Sequence, residues 1–206
     1  MKLLLLAAAA LACPPGAAPA LAQSARDSVV YHLSSASRLE VKTGKAGLLG
    51  FAGHEHTIVA RGFSGRVVYF PAEPAASRVE IRIATDSLEV TSPPDTAEIR
   101  KVTEAMRTEV LHTDSFPEMT FASRSLAPFD GGFHMVAALT MHGQTRPVPV
   151  DVRTTVARDT IRAAATFSVN QTYFGIQPFR GGPGGTVRVA DRVTFHIEAV
   201  AVRREN

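Results

Sequence analysis

Apolar and polar side chains alternate with a period of two over most of this chain, a rhythm that suits strands with one buried face and does not suit helices. Val79, Ile81 and Ile83 alternate with Arg78, Glu80 and Arg82. Phe133, Met135, Ala137, Leu139 and Met141 alternate with a mixed set that includes His134, Thr140 and His142. Val148, Val150 and Val152 alternate with Pro147, Pro149, Asp151 and Arg153. The runs Ile161, Ala163, Ala165, Phe167, Val169 and Val193, Phe195, Ile197, Ala199 continue the pattern. One apolar face and one wetted face is the habit of antiparallel sheets. About eight or nine strands are expected, the long ones over roughly 56–70, 77–90, 131–142 and 187–203. Asp130-Gly131-Gly132 and Arg158-Asp159 fall between runs, where hairpin turns belong. The glycine-bearing stretches 44–56 and 180–185 read as loops.

One segment departs from this rhythm. Between Asp95 and Leu111 the apolar residues Ile99, Val102, Met106 and Val110 fall on one helical face. Pro93-Pro94 precedes the segment, and Asp95 with Glu98 forms a capping-box-like start. A helix with a single apolar stripe must dock, either across a barrel end or on the sheet surface.

The first 22 residues read as a secretory signal: Lys2 ahead of the apolar run Leu3 to Ala12, then a small-x-small site at Ala20-Leu21-Ala22. Ten apolar residues fall well short of the ~20 that span a bilayer. Ala10-Leu11-Ala12-Cys13 also resembles a lipoprotein cleavage box, so lipidation at Cys13 is the minor alternative. Cleavage after Ala22 leaves one domain, 23–206, without cysteine, and predicts a periplasmic or secreted protein that holds its fold by burial and backbone pairing.

Lys2 is the only charge removed with the signal, which leaves 21 basic against 19 acidic side chains. The basic residues are scattered, so no nucleic-acid footprint is expected. No second apolar stretch is long enough for a transmembrane segment. There is no Gly-x-Ser-x-Gly elbow, and the glycines at 181–185 lack the Gly-Lys-Ser/Thr ending of a phosphate loop. Glu104 and Glu109 near His112 belong to a solvated helix face. The chain reads as a non-enzyme without a cofactor.

His54-x-His56 is the motif that argues for other chemistry. Two positions apart on a strand face the same way, so both rings could reach one metal, with His112, His134 or His142 as further donors. Two histidines lack the third and fourth ligands of an ordinary zinc site, and a polar lining at a pocket mouth is the alternative.

Antiparallel strands with one apolar face close either as a sandwich or as a barrel. A barrel of ~8 strands holds side chains or one small ligand. Rows mixing Phe133, Met135 and Met141 with Ala137, Ala163 and Ala165 suit an adaptable interior.

Four stretches resemble the YceI family, exported proteins that bind polyisoprenoid lipids in an extended lipocalin-like barrel. They are Gly62-Phe63-Ser64-Gly65-Arg66-Val67-Val68-Tyr69-Phe70-Pro71; Ser77 to Ile83 with Ser87-Leu88; Phe116 to Ser123 with Leu139-Thr140-Met141-His142-Gly143-Gln144-Thr145-Arg146-Pro147-Val148; and Phe174-Gly175-Ile176. The segment Gly53 to Thr57 is similar to a His-x-His-containing subgroup, and Asn170 to Tyr173 replace the charged residues often found before the Phe-Gly-Ile element. The resemblance implies an all-β fold with one α-helix, an antiparallel barrel of about eight strands with an internal apolar cavity. It implies a prenyl lipid or quinone as ligand, in a carrier or reservoir role. The inward rows Phe121, Phe133, Met135, Leu139, Met141, Ile161, Phe167, Val169, Phe195 and Ile197 would face the lipid, with His54 and His56 polar at the mouth. The alternatives are a metal-binding module at His54 and His56, and a protein-interaction domain with a filled core. The oligomeric state is open, a homodimer among the options.

Overall fold

A computed structural model describes residues 27–46, 55–92, 96–181 and 187–203. The signal reading of residues 1–22, Cys13, the Asp95 cap and His54 fall outside them. The strands in chain order are β1 (Val29–Leu33), β2 (Arg38–Ala46), β3 (Thr57–Ala60), β4 (Phe63–Tyr69), β5 (Arg78–Ala84), β6 (Leu88–Val90), β7 (Glu118–Phe129), β8 (Gly132–Met141), β9 (Gln144–Val156), β10 (Thr160–Asn170), β11 (Arg180–Gly181) and β12 (Val187–Arg203). Helix α1 (Thr96–Ala105) lies between β6 and β7.

The sheet closes on itself. Strands β1, β4, β5, β7, β8, β9, β10 and β12 are neighbours in that order, and β12 returns to β1 through Tyr31↔Arg203, His32↔Val202 and Leu33↔Ala201. All these pairs are antiparallel, so the fold is a barrel of eight staves, as the alternation allows. The long second half is made of hairpins. Asp130-Gly131 joins β7 to β8, and His142-Gly143 joins β8 to β9 with φ of 50° and 71°. Positive φ at both central residues is the type I′ turn whose twist matches its strands.

Beyond the closed ring the sheet continues from β12 into β2, β3 and β6. The seventeen-residue β12 is therefore paired by β2 over Arg188 to Glu198 and by β1 from Ala201 onward. Three staves are each broken once, at 34–37 between β1 and β2, at Arg61-Gly62 between β3 and β4, and at Thr85–Ser87 between β5 and β6. These breaks lie side by side and form a crease. The expected continuous strands over 56–70 and 77–90 are thus corrected to pairs of shorter ones. Likewise Gly44 to Ala46 end β2, and Arg180-Gly181 pair with Arg188 and Val187, where loops were expected.

Side-chain hydroxyls carry the hydrogen bonds that the broken ladders lose. Val200 lies on β12 between the part held by β2 and the part held by β1. Its N–H donates to Ser37 Oγ at 3.0 Å, and Ser37 Oγ donates to the Val200 carbonyl at 3.2 Å. Thr85 Oγ1 donates to the Phe116 carbonyl at 2.7 Å, and Ser87 Oγ to Ala84 O at 2.6 Å. A β-carbon on Gly62 would come within 2.9 Å of Ser87 Cβ, so glycine permits the close approach at this fold in the sheet.

Past the crease, β6 leaves β7, and the helix fills the slot. The Val90 N–H donates to Thr103 Oγ1 at 3.1 Å, and Arg107 donates to the Leu88 carbonyl through Nε and an η nitrogen at 3.1 and 2.9 Å. The expected helix is real, but after Ala105 it widens into a π-turn over Met106–Val110. Met106 is buried, and Val102, Val110 and Leu111 pack against the core, whereas Ile99 of the expected stripe joins neither the core clusters nor the cavity walls.

Removing the Ser37 hydroxyl leaves a partly buried Val200 N–H without its partner, which costs about 1–3 kcal/mol. Ser37→Ala is expected to lower the urea midpoint by that amount with an unchanged slope. A shift under about 0.5 kcal/mol would show that the crease is held otherwise.

Candidate functional site

The flap beyond the crease, the helix and the outer part of β12 enclose a cavity of about 1100 Å³. Its depth follows from β2, where Leu39, Val41 and Thr43 point inward in succession and all line it. Four residues of strand cover about 13 Å. Facing them are Ile58 and Ala60 of β3, Leu88 and Val90 of β6, and Val193, Phe195 and Ile197 of β12. Helix α1 and its π-turn form the lid through Val102, Ala105, Met106, Val110 and Leu111, with Met119, Met141 and Ile176 completing the wall. Thr43, His56, Glu98 and Lys101 bring polar atoms to the outer end.

His56 precedes β3, with its backbone N–H donating to Thr43 Oγ1 at 3.2 Å. Its Nδ1 lies 2.9 Å from the Ser92 carbonyl, which can only accept, so Nδ1 carries the proton and Nε2 is the remaining polar atom of the ring. Among the described residues no three metal-ligating side chains come together. His134 pairs with Asp151 at 2.7 Å on the exposed face of the barrel.

A second, narrow chamber of about 130 Å³ lies inside the closed ring. Leu39, Ile83, Phe195 and Ile197 line both spaces and form a waist between them. The Phe195 ring is parallel to that of Phe167 at 4.8 Å between centroids, and Phe121 follows at 6.1 Å. Offset or parallel rings at such spacings attract beyond simple burial.

The residues expected to face a ligand divide between these spaces. Phe121, Phe133, Met135, Leu139, Ile161 and Phe167 line the narrow chamber only, Met141 lines the wide cavity, and Phe195 and Ile197 line both. Val169 lines neither and packs against the core around Met135 and Phe174. The flap and lid residues were missed. A signal for them exists, because inward residues are odd-numbered through Val79, Ile81 and Ile83 but even-numbered at Leu88 and Val90. The same slip separates Ala60 from Phe63. Such a change of phase marks a broken stave, since a one-residue slip turns every side chain over.

Next to Met141 of the cavity wall stands a histidine whose protonation is disfavoured. His142 sits in the β8–β9 turn, its ring 4.0 Å from that of Phe116 and 5.7 Å from that of His112, in the segment leaving the lid. Its Nε2 is buried without a hydrogen-bond partner. Burial first, and then the neighbouring His112, pushes the His142 pKa below its ordinary value, the Phe174 backbone opposing in part.

The profile of the YceI-like domain matches residues 33–201. The chain belongs to that family. A UPF0312 protein of Yersinia enterocolitica (serotype O:8, biotype 1B) is 29% identical over 93 residues, which are 45% of each chain, so the match spans under half of that curated relative. The solved structure of Burkholderia cenocepacia BcnA superposes with a TM-score of 0.65 at 18% identity, covering 82% of this chain and 99% of that one. The polyisoprenoid binding domain from Saccharophagus degradans, implicated in plant cell wall breakdown, gives 0.62 at 14% identity, covering 85% and 99%. The Campylobacter jejuni YCEI protein gives 0.57 at 16% identity, covering 72% and 85%. At these identities the three structures attest the YceI-like fold.

Because the folded His142 resists protonation, the unfolded chain takes up the proton first as pH falls. Its stabilising contribution is complete above about pH 6.5 and is lost as pH falls through the lowered folded value. His142→Asn keeps a residue that accepts positive φ and removes the titration. Denaturation from pH 8 to pH 5 is expected to show a shallower acid-side loss in this variant. Equal slopes would remove His142 from the account.

Proposed function

We propose that this YceI-like protein binds a polyisoprenoid-type lipid, a prenyl lipid or quinone, in the wide cavity and acts as an exported carrier or reservoir. The observation that carries the reading is a deep, mainly apolar cavity of about 1100 Å³, with Thr43, His56, Glu98 and Lys101 among its few polar lining residues. The polyisoprenoid binding domain of Saccharophagus degradans, of like fold, supports it. The signal-like pattern of residues 1–22 supports export. A filled-core interaction domain does not describe this interior.

The energetics favour a tail-driven ligand. Each buried methylene contributes ~0.8 kcal/mol, so one five-carbon unit gains about 4 kcal/mol gross. A head-group hydrogen bond adds ~0.5–1.5 kcal/mol net. Ordering and association costs consume much of the total. A cavity of about 150 Å³ holds one benzene-sized molecule, so the wide cavity has room for up to about seven units of that size. His56 is the candidate head-group contact: its neutral Nε2 accepts from a hydroxyl, and its protonated form donates to a quinone carbonyl. No bond-making is required of any residue in this role.

Protein purified without detergent is expected to release a prenyl-type mass on organic extraction and to show the same added mass by native mass spectrometry. Val102→Glu, which sets a carboxylate against the tail, should weaken binding about tenfold or more, from a burial cost of about 1–3 kcal/mol. His56→Ala should weaken it only about three- to tenfold. Extracts without lipid from several hosts, or equal affinity in Val102→Glu, would contradict the proposal.

A further inference from the structure

The wide cavity and the narrow chamber are adjacent but different in kind. The wide cavity is walled mainly by aliphatic and methionine side chains, with a few polar residues among them, and its lid is a short helix. The narrow chamber lies within the closed ring, where backbone pairing runs unbroken around all eight staves. Between them stand the four waist residues, of which Leu39 is 3% and Phe195 8% exposed. Behind Phe195 the ring of Phe167 is parallel to within 2°, and Phe121 backs Phe167 in turn. Swinging Phe195 aside means leaving a packed rotamer and breaking that stack, in an interior packed like a crystal. The chamber beyond, at about 130 Å³, is close to the ~150 Å³ that admits one benzene-sized group. It could take about one more five-carbon unit, and the waist decides whether it does.

We propose that the waist of Leu39, Ile83, Phe195 and Ile197, braced by Phe167, is a length stop: the tail of a prenyl ligand ends against it and does not run on into the narrow chamber. The proposal rests on the lipid-binding reading and adds the residues that set which tail lengths are accepted. Tail units that fit between mouth and waist each add affinity. A unit beyond that length has no apolar surface to bury and must stay outside the mouth. Phe195 is then the main determinant, because it is the bulkiest waist residue and the one that the stack holds in place.

The test uses prenols of stepwise increasing length (geraniol, farnesol, geranylgeraniol and longer homologues) displacing a bound fluorescent apolar probe. For the native chain, affinity should rise roughly tenfold or more per added unit and then go flat. Phe195→Ala should carry the rise at least one unit further, and Ile197→Ala, a milder opening of the same waist, should do so if Phe195→Ala fails to fold. Ala163→Leu partly fills the narrow chamber. It should leave the native break point in place and cancel the extra unit in the Phe195→Ala background. An unchanged break point in folded Phe195→Ala and Ile197→Ala would overturn the stop. So would a shorter break point in Ala163→Leu alone, since it would show the tail already beyond the waist. Both of these results leave lipid binding standing, whereas a native chain that binds no prenol of any length overturns the lipid reading and the stop together.

Discussion

The backbone ladder along β12 is what the rest of the structure depends on. A seventeen-residue strand is too long for either β1 or β2 alone, and the chain resolves this by pairing one part of it with each. At the handover, Val200 has no strand partner on that side; its N–H donates to the Ser37 hydroxyl, and its carbonyl accepts from that hydroxyl and from the Ser34 N–H. Without cysteine in 23–206 there is no covalent alternative. Closure of the ring through β1 and extension of the flap through β2 are therefore two consequences of one edge.

The cavity follows from that division. In the closed part, eight staves bring their apolar faces close enough to leave only about 130 Å³. Past the crease the flap of β2, β3 and β6 separates from β7, and no ladder draws the walls together. The helix bridges the slot with a few hydrogen bonds, among them Arg107 to the Leu88 carbonyl, and presents a flexible apolar surface at Met106. Hydrogen-bonded strand walls, a small helical roof and methionines at Met106, Met119 and Met141 suit a long ligand without fixed shape, since thioether side chains fill irregular gaps at little cost. Under the proposed function, such an interior would select for apolar bulk and length, and His56 with its neighbours would meet the head of the ligand.

Much of this architecture is legible in the sequence. Period-two runs such as Phe133 to Met141 and Ile161 to Val169 became β8 and β10, and the stripe Val102, Met106, Val110 became the lid. What periodicity conceals is where the staves break, because alternation continues on both sides of 61–62 and 85–87 and only its phase changes. That is why the inward residues were read from the long hairpins. Those hairpins mostly surround the narrow chamber, whereas the wide cavity owes its walls to the short strands β2, β3 and β6. Placement of the helix was open for a physical reason: an amphipathic stripe states that a partner exists but carries no address. The His142-Gly143 pair shows the opposite case, with a type I′ turn hidden inside what reads as the end of a strand.

The central claim is that an apolar guest lies between the flap, the lid and the waist. Methyl-labelled methionines report on this directly, since Met106, Met119 and Met141 line the wide cavity and Met135 lines the narrow chamber. In isotope-filtered NOE spectra of the protein saturated with geranylgeraniol, the ligand's methyl groups should show cross-peaks to the first three methionine methyls and none to Met135. Cross-peaks confined to Met135, or absent from all four while the ligand is bound, would contradict the account.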